Sequence, residues 1–368
     1  MFLERLQLHN FKNYQLAEFN FCEGINAFVG KNGSGKTNIL DAIHYLSMCK
    51  SYLNTIDRQN VRFEESFFSI FGDWQQNGKI SIQQCSFKIG SKKTIKINKK
   101  EYERISDHVG TFPVVFISPY DNDLISEGSE ARRKWIDGIL VQLDKQYLDD
   151  LIKYHKILEQ RNALLKNMYE HRLFDSESLE IWDVSLIETG NRIFKKRISF
   201  LKEFIPVFTE FYRQLVGEKE ITDIHYKSQL SEQEFSVALK ASEKKDAMTQ
   251  YTNVGIHKDD LVFSISGHPV KKFGSQGQQK SFLIALRLAQ FDWMKKQKGF
   301  SPILLLDDIF DKLDNERVLN LVSLVTTNYF GQVFITDTDE KRMQELICNI
   351  KSAKKLFSVS DSNVVELT

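Results

Sequence analysis

The sequence predicts an α/β fold, with strand-rich segments at both ends of the chain and a helical lobe inserted between them. Three observations indicate this organisation. A short apolar strand, a glycine-rich loop and a helix follow one another over residues 24–49. Between 129 and 249 the apolar residues recur mainly at helical spacing, and from 250 onwards strand and helix patterns alternate again. We therefore expect one head built from residues 1–128 and 250–368, with an inserted helical lobe at 129–249.

The N-terminal segment contains short runs rich in β-branched and aromatic residues, separated by turn-forming residues, which is the pattern of β-strands. The run at 80–89 shows the near period-two alternation of a half-buried strand. The run at 113–117 is apolar throughout, as in a buried strand. The predicted strands of this segment cover residues 2–8, 16–21, 67–71, 80–89, 94–97 and 113–117.

The middle segment predicts long helices. Asp144 precedes apolar residues at helical spacing and is expected to cap the first helix. A second helix is expected over 178–211, interrupted near Pro206 because proline has no backbone N–H to donate. S-E-Q-E at 231–234 has the pattern of a capping box and is expected to open a third helix. The C-terminal segment predicts strands at 261–266, 303–306 and 332–336 and helices at 278–296 and 315–326.

Residues 30–37 spell G-K-N-G-S-G-K-T and match the phosphate-binding pattern G-x-x-x-x-G-K-[ST] between a predicted strand and a predicted helix. Glycines let the backbone of such a loop point several N–H groups at phosphate oxygens, and the helix adds the positive end of its dipole. Lys36 is expected to reach the β- and γ-phosphates of ATP, and Thr37 to place its hydroxyl on Mg²⁺. The residues expected to contact the nucleotide are Gly30, Lys31, Asn32, Gly33, Ser34, Gly35, Lys36 and Thr37.

An apolar strand that ends in two carboxylates, I-L-L-L-D-D, occupies residues 303–308. A P-loop ATPase needs a carboxylate beside the P-loop to hold Mg²⁺ through its water shell, and Asp307 fits that role. Asp308 would position the attacking water or act as general base. A buried strand with an acidic cap explains these residues equally well on their own, but the P-loop favours the catalytic interpretation. Lys36, Asp307 and Asp308 are therefore the expected catalytic residues. Thr37 and Asp307 are the expected metal ligands.

Small polar residues and a glycine, S-Q-G-Q-Q at 275–279, precede a predicted amphipathic helix. Such a helix start can bind an anion, although a simply capped helix explains this segment better when it is taken alone. Its place about 30 residues ahead of the D-D strand changes that judgement. The order P-loop, S-x-G-Q and acid-tipped strand resembles that of ABC-type ATPases, in which the signature of one subunit completes the phosphate site of another. The resemblance implies an ATP-dependent homodimer in which Ser275, Gly277 and Gln278 contact the nucleotide.

The resemblance to ABC-type ATPases extends to the D-K-L-D segment, which matches the loop that crosses their dimer interface. It adds Asp311 and Asp314 to the expected nucleotide-binding residues. Many ABC-type ATPases have glutamate at the position of Asp308, and the shorter carboxylate agrees with a slow switch rather than a motor. No switch histidine is evident at 335–339 and no Q-loop glutamine near 118–123, so those two roles stay unassigned.

Seven further segments together make a specific pattern: L-H-N-F-K-N-Y at 8–14, N-I-L-D-A-I at 38–43, C-K-S-Y at 49–52, S-P-Y-D at 118–121, E-A-R-R-K-W-I-D at 130–137, L-E-Q-R-N-A-L-L at 158–165 and G-I-H-K-D-D-L at 255–261. With these segments the chain resembles the RecF family of bacterial repair ATPases over nearly its whole length. One departure is Lys280, which stands where the family usually has an arginine.

The resemblance implies an ABC-type head similar to that of SMC proteins, with a short helical lobe in place of a long coiled coil. It also implies a role in recombinational repair, replication restart and the SOS response to DNA damage. The protein would dimerise on ATP, bind double-stranded DNA near single-strand gaps and hydrolyse ATP slowly, with stimulation by DNA. It would help to load RecA together with RecO and RecR.

The overall charge does not indicate a nucleic-acid partner. The chain carries 50 basic and 49 acidic residues, so any DNA contact must come from a local patch. The basic clusters that could form such a patch are 92–93, 99–100, 132–134, 195–197 and 271–272, although any one of them taken alone is better explained as a solvated surface. Of these, Arg132, Arg133 and Lys134 are named as the expected DNA contacts. The four cysteines lie far apart without metal-ligand spacing, which predicts reduced thiols. Without a signal peptide or a long apolar stretch, the sequence predicts a cytoplasmic protein that does not enter a membrane.

Three other functions share parts of this pattern. An ABC-type subunit of a transport system would normally have a much shorter span between P-loop and signature, and the helical insertion argues against it. A nuclease with a fused metal-dependent domain would need more than the roughly 55 residues after Asp314. A small-molecule P-loop kinase would leave residues 275–279 without a role. An ABC-type ATPase subunit of another DNA-processing or transport system stays open as the alternative.

Overall fold

The computed structural model describes residues 1–218, 220–310, 315–325, 328–348 and 352–367. The strands are β1 (Phe2–Phe11), β2 (Tyr14–Asn20), β3 (Ile25–Val29), β4 (Phe67–Gln76), β5 (Lys79–Lys88), β6 (Thr94–Ile97), β7 (Lys100–Glu101), β8 (Val114–Ile117), β9 (Thr222–Lys227), β10 (Asp260–Ile265), β11 (His268–Pro269), β12 (Ile303–Asp307), β13 (Val333–Asp337), β14 (Lys354–Ser360) and β15 (Asn363–Glu366). The helices are α1 (Lys36–Met48), α2 (Asp123–Ser126), α3 (Ser129–Leu140), α4 (Lys145–Glu170), α5 (Ser176–Val216), α6 (Phe235–Thr249), α7 (Val270–Phe273), α8 (Gln276–Lys298), α9 (Asn315–Val325) and α10 (Glu340–Cys348).

The chain divides into two compact units. The first contains Met1–Asp121, Gln214–Val216 and Lys280–Thr368, and the second contains Asn122–Arg213 and Gly217–Gln279. In the part of the chain that the structure describes, no helix is both long enough and apolar enough to cross a membrane.

A mostly parallel sheet in the first unit has the strand order β15-β14-β3-β13-β12-β8. Its strands β3, β8, β12 and β13 are buried along their whole length, as is usual for a parallel sheet. β3, β13 and β12 are parallel neighbours, so their carboxyl ends lie at the same edge. The P-loop follows β3, the D-D pair ends β12 and Thr336 lies near the end of β13. The topology therefore gathers these residues at one sheet edge, which is where ligands bind in such sheets.

An antiparallel sheet in the same unit has the order β2-β1-β4-β5-β6-β7. It is tied to the P-loop helix by Gln83 of β5, whose Nε2 donates to the Leu46 carbonyl of α1 at 2.6 Å. Trp74 of β4 belongs to the core of this sheet, where its indole ring stacks on the Phe112 ring with a centroid distance of 4.3 Å. The sheet thus fixes the C-terminal half of α1.

The second unit consists of α2 to α7, the first residues of α8 and a small antiparallel sheet of order β11-β10-β9. This unit is longer than the predicted lobe at 129–249. The reason is that β10 pairs with β9 along its whole length, from Asp260 opposite Lys227 to Ile265 opposite Thr222. Residues beyond 249 therefore belong to the same unit as the helices. The assignment of 1–128 and 250–368 to one ATP-binding head stays a prediction.

The predicted strands and helices of both terminal segments correspond to observed elements, and the structure adds the C-terminal hairpin of β14 and β15. In the middle segment, Asp144 caps α4 as predicted, accepting from the Tyr147 N–H at 3.0 Å.

The predicted interruption at Pro206 is wrong, because α5 continues through it. The buried Phe204 and Phe208 hold the helix on both sides of the proline, so packing offsets the lost backbone hydrogen bond.

The predicted capping box at 231–234 is also wrong. α6 starts at Phe235, and its N-cap residue Glu234 makes no side-chain cap. The preceding residues instead form a short 3-10 turn at 229–231, where Ser228 Oγ accepts from the Leu230 N–H at 3.2 Å. The cap therefore belongs to this turn and not to the helix.

Candidate nucleotide-binding site

The glycine-rich loop joins β3 to α1, as the sequence predicts. Its backbone takes positive φ at Gly30, Gly33 and Gly35, and α1 begins at Lys36. Positive φ is accessible to glycine at little cost, and successive turns of this kind bring backbone N–H groups together. The loop thus has the conformation that an anion-binding concavity requires.

The Lys36 side chain is held against its own loop. Its Nζ donates to the Gly30 carbonyl at 2.7 Å and to the Lys31 carbonyl at 2.9 Å. Burial lowers the pKa of Lys36, and the nearby carboxylates of Asp308 and Asp307 oppose that shift. The ammonium group therefore lies at the P-loop, close to the acidic end of β12.

Asp307, the last residue of β12, is hydrogen-bonded to the start of α1 and to β13. Its Oδ1 accepts from Thr37 Oγ1 at 2.9 Å and from Thr336 Oγ1 at 2.7 Å. Burial raises the pKa of Asp307, whereas the two hydroxyl donors lower it. The structure thus brings together the two predicted metal ligands, Thr37 and Asp307, although they are far apart in the sequence.

Asp308 has a left-handed backbone, with φ of 47°. Its N–H donates to Thr336 Oγ1 at 3.0 Å. The Thr336 hydroxyl therefore accepts from Asp308 and donates to Asp307 at the same time. A non-glycine residue in this conformation persists only where its surroundings hold it, and such residues cluster at functional sites.

Thr336 was not predicted as a site residue. The sequence signal available for it is weak: a threonine next to last in a buried apolar strand, 333–337. The next residue, Asp337, is fully buried and accepts two hydrogen bonds from the Arg342 guanidinium, at 2.8 and 2.6 Å. This ion pair involves the segment 335–339, in which no switch histidine is evident.

The P-loop and these carboxylates line one cavity of about 160 Å³. The buried Ser34 hydroxyl, also part of the loop, has no hydrogen-bond partner among the residues that the structure describes. Backbone N–H groups, an ammonium group, hydroxyls and carboxylates are the groups that a Mg²⁺-triphosphate needs, so the residues present fit that ligand. The lining residues are Asn32, Gly33, Gly35, Lys36, Thr37, Asn38, Asp307, Asp308 and Thr336.

A buried polar network lies behind the P-loop helix. Arg287 of α8 donates to Asp121 through Nη2 at 2.5 Å and through Nε at 3.2 Å. Tyr52 OH donates to the same carboxylate and accepts from Arg287 at 3.0 Å. Asp41 of α1 holds the adjoining segment by accepting from the Tyr52 N–H at 2.6 Å. The network thus connects α1 to α8 through the C-K-S-Y and S-P-Y-D segments, whose contacts the sequence did not reveal.

The predicted signature residues lie in the second unit, at the start of α8. Ser275 and Gln278 form a capping box, in which the Ser275 N–H donates to Gln278 Oε1 at 2.8 Å and the Gln278 N–H donates to Ser275 Oγ at 3.2 Å. Ser275 is exposed and Gly277 half-buried. Their contact with a nucleotide stays a prediction. Asp311 and Asp314 lie outside the described residues.

The family model described as "RecF/RecN/SMC N terminal domain" matches residues 2–362. The "DNA replication and repair protein RecF" of Flavobacterium johnsoniae is 49% identical over 359 residues, covering 98% of this chain and 100% of the relative. The chain belongs to the RecF family. The protein of the same name from Phocaeicola vulgatus is 46% identical and covers 100% of this chain and 98% of its own length.

Solved structures support the RecF assignment and the fold. "Structure of the recombination mediator protein RecF-ATP in RecFOR pathway" matches with a TM-score of 0.89 and 29% identity, covering 100% of this chain and 97% of that one. The Smc head domain from Pyrococcus furiosus, with a TM-score of 0.58 and 17% identity over 100% of this chain and 96% of that one, shares the fold. The predicted fold class, an α/β P-loop head of the ABC type with a helical insertion, is confirmed.

Two RecF-like segments, 130–137 and 255–261, pack against each other in the second unit. Arg132 makes a two-pronged ion pair with Asp260, with N–O distances of 2.7 and 3.1 Å. Arg133 donates to the Asp259 carbonyl at 2.7 Å. In contrast, Lys134 is exposed and forms an ion pair across the helix surface with Glu130, at 2.7 Å. Two of the three predicted DNA contacts are thus engaged within the fold, which leaves Lys134 as the accessible one.

Proposed function

We propose that this chain is an ATP-dependent DNA-binding switch of recombinational repair and replication restart. The observation that carries the proposal is the hydrogen bond between Thr37 Oγ1 and Asp307 Oδ1, which joins the P-loop to the acidic strand inside one cavity. The RecF relatives are named as DNA replication and repair proteins, which supports the biological role. A related structure described as RecF-ATP supports ATP as the nucleotide.

The P-loop residues 30–37 would bind the phosphates of ATP through backbone N–H groups and the Lys36 ammonium. Thr37 and Asp307 would hold Mg²⁺, which neutralises phosphate charge when it is bound. Asp308 would orient the attacking water or accept its proton. Because this carboxylate is short and its backbone is fixed by Thr336, we propose slow hydrolysis that resets a switch.

ATP would also bring two copies of the chain together. Ser275, Gly277 and Gln278 of one copy would complete the phosphate site of the other, and Asp311 and Asp314 would lie at the same interface. The exposure of Ser275 at the N-terminus of α8 supports this proposal, because a second molecule can reach the positive end of a helix there. Loss of the γ-phosphate would remove the shared charge and open the dimer.

The proposed DNA ligand is duplex DNA near single-strand gaps, contacted through its backbone. With 50 basic and 49 acidic residues, a single copy has little net charge to attract DNA, so affinity would depend on the two patches that dimerisation assembles. RecR and RecO are the proposed partners in loading RecA. These steps would take place in the cytoplasm.

Light scattering with and without ATP and Mg²⁺ tests the switch. Wild type is expected to shift from monomer to dimer mass, and Lys36→Arg and Ser275→Arg are each expected to abolish the shift. Ser231→Arg is the matched control, since it places the same cation at another exposed serine of the second unit. A small-molecule kinase would tolerate Ser275→Arg.

Fluorescence anisotropy of labelled duplex DNA provides the second readout. Binding is expected to require ATP, to weaken with salt and to be independent of sequence. Equal DNA affinity with and without ATP would contradict the switch. A wild type that stays monomeric with saturating ATP and Mg²⁺ would contradict the dimer.

A further inference from the structure

The P-loop is contacted from outside by residues near the two ends of the chain. The Ser34 carbonyl accepts from Asn13 Nδ2 at 3.4 Å and from the Ser362 N–H at 3.3 Å. Asn13 Nδ2 also donates to Ser362 Oγ at 2.8 Å. The next carbonyl, that of Gly35, accepts from Tyr14 OH at 3.2 Å. Two consecutive P-loop carbonyls are therefore bonded to the β1–β2 and β14–β15 hairpins. We call Asn13, Tyr14 and Ser362 the outer clamp.

The close approach of the two hairpins explains two glycines of the loop. A Cβ on Gly30 would lie 2.1 Å from the Val359 carbonyl oxygen of β14, and a Cβ on Gly35 would lie 2.4 Å from Asn13 Nδ2. At Gly30 the close atom belongs to the backbone and cannot move aside. At Gly35 it is the end of a side chain, but the backbone φ of 113° favours glycine there as well. The hairpins therefore pack directly on the loop backbone.

The orientation of the two peptide groups follows from these contacts. In a trans peptide the C=O and the following N–H point in opposite directions. Since the Ser34 carbonyl points to the outer clamp, the Gly35 N–H points to the other side. The Gly35 carbonyl also accepts from the Asn38 and Ile39 N–H groups of α1, at 3.0 and 3.3 Å, and Tyr14 OH adds a third donor. Its direction orients the Lys36 N–H in the same manner. These are two of the N–H groups with which a P-loop binds phosphate.

Asn13 itself is fixed by a further contact. Its Oδ1 accepts from Asn38 Nδ2 at 2.6 Å, so the amide is held on both sides. Asn38 is the first residue of α1 after the P-loop motif and lines the nucleotide cavity. The outer clamp thus has the fixed geometry of a preorganised support and not of a loose surface contact.

We propose that Asn13, Tyr14 and Ser362 are positioning residues that hold the P-loop N–H groups ready for the β- and γ-phosphates of a nucleotide. They act through the loop and recognise the polyphosphate chain, not the base. The inference rests on the proposed nucleotide binding. It gives the C-terminal hairpin a role in nucleotide affinity although its residues do not line the cavity.

The test measures displacement of a fluorescent ADP by unlabelled ADP and, separately, by inorganic tripolyphosphate, which has no base. Ser362→Ala and Ser362→Gly each remove the hydrogen bond that Ser362 Oγ accepts, whereas Asn13→Ala removes the two that its Nδ2 donates and the one that its Oδ1 accepts. The expected loss in affinity for both competitors is about threefold to tenfold in the Ser362 variants and at least as large in Asn13→Ala. Ser362 has a left-handed backbone with φ of 66°, so glycine relieves the backbone strain that alanine keeps. Equal losses in both Ser362 variants assign the effect to the hydroxyl.

Ser360→Ala and Gln15→Ala are the matched controls, because both residues are exposed on the same two hairpins. Both controls are expected to bind like wild type. Affinities of the Asn13 and Ser362 variants equal to wild type would overturn the inference, and so would a loss for ADP with none for tripolyphosphate. A loss in Ser362→Ala that Ser362→Gly does not share would also overturn it. A wild type that binds no nucleotide would instead refute the proposed function.

Discussion

Replacing Thr336 by valine removes the one hydroxyl that Asp307 and Asp308 share. Valine keeps the shape of the buried side chain, so the change creates no cavity and isolates the two hydrogen bonds. The bond from Thr336 to the Asp307 carboxylate has a length of 2.7 Å and the bond from the Asp308 N–H a length of 3.0 Å. A hydrogen bond to a charged group contributes about 1.5–3 kcal/mol, and a backbone N–H left without an acceptor costs about 1–3 kcal/mol.

These magnitudes predict a specific kinetic change in Thr336→Val. A barrier increase of about 1.4–2.7 kcal/mol corresponds to hydrolysis slower by about tenfold to a hundredfold. The Mg²⁺ concentration needed for half-maximal rate is expected to rise, since Asp307 loses one of its two hydroxyl donors. ADP affinity without Mg²⁺ is expected to change less than about threefold, because the hydroxyl does not belong to the P-loop.

Phosphate release at a series of Mg²⁺ concentrations, together with fluorescent-ADP binding in EDTA, measures these quantities. Thr338→Val is the control, since this threonine lies two residues further on and is exposed. Wild-type rate and Mg²⁺ dependence in Thr336→Val would refute the reasoning. An equal loss in Thr338→Val would refute it too, because the effect would then not come from the shared hydroxyl.

Three further changes test other parts of the structure. Burial raises the pKa of Asp307 above its ordinary value of 3.8, so its contribution to stability is present at low pH and is lost as the pH rises through the folded-state pKa. In urea unfolding without nucleotide, the free energy of unfolding of Asp307→Asn should therefore increase relative to that of wild type as the pH rises. A difference that stays constant with pH would contradict this. Arg287→Met should lower the free energy of unfolding in urea by about 3–5 kcal/mol, because it leaves the buried Asp121 carboxylate without its cation. Adding Asp121→Asn should restore part of this loss, and a double variant whose losses simply add would show that the two residues are not coupled. If the exposed Lys134 touches a DNA phosphate, Lys134→Gln should reduce the slope of the logarithm of the binding constant against the logarithm of the salt concentration by about one. An unchanged slope would show that this lysine does not contact DNA.

The sequence was sufficient for the parts of the site that are contiguous or that follow directly from a strand. The P-loop could be predicted because its glycines, lysine and threonine have fixed spacings that the chemistry of phosphate binding requires. Asp307 could be predicted because an acidic residue at the end of an apolar strand is conspicuous. Both predictions needed only local patterns, and the structure places these residues in one cavity.

Thr336, Asn13 and Ser362 could not be predicted in the same way. A single threonine in a buried strand or a serine in a turn gives no sequence signal that would identify it as a functional residue. Thr336 reaches Asp307 only because β13 lies between β3 and β12, and this strand order is a property of the whole sheet. At Pro206 the local sequence gave a clear signal that was wrong. The rule that proline interrupts a helix predicted a break, but the buried Phe204 and Phe208 hold the helix together.

The charges around the cavity explain why Mg²⁺ and a triphosphate would bind together. Asp337 is neutralised locally by its two hydrogen bonds from Arg342. Of the residues that line the cavity, Asp307 and Asp308 bring two carboxylates and Lys36 brings one ammonium group. A triphosphate alone would add negative charge to a site that already has an excess of it, whereas a divalent cation between the phosphates and Asp307 reverses that balance. Nucleotide affinity should therefore depend on Mg²⁺ in wild type and much less in Asp307→Asn, where one of the two carboxylates is removed.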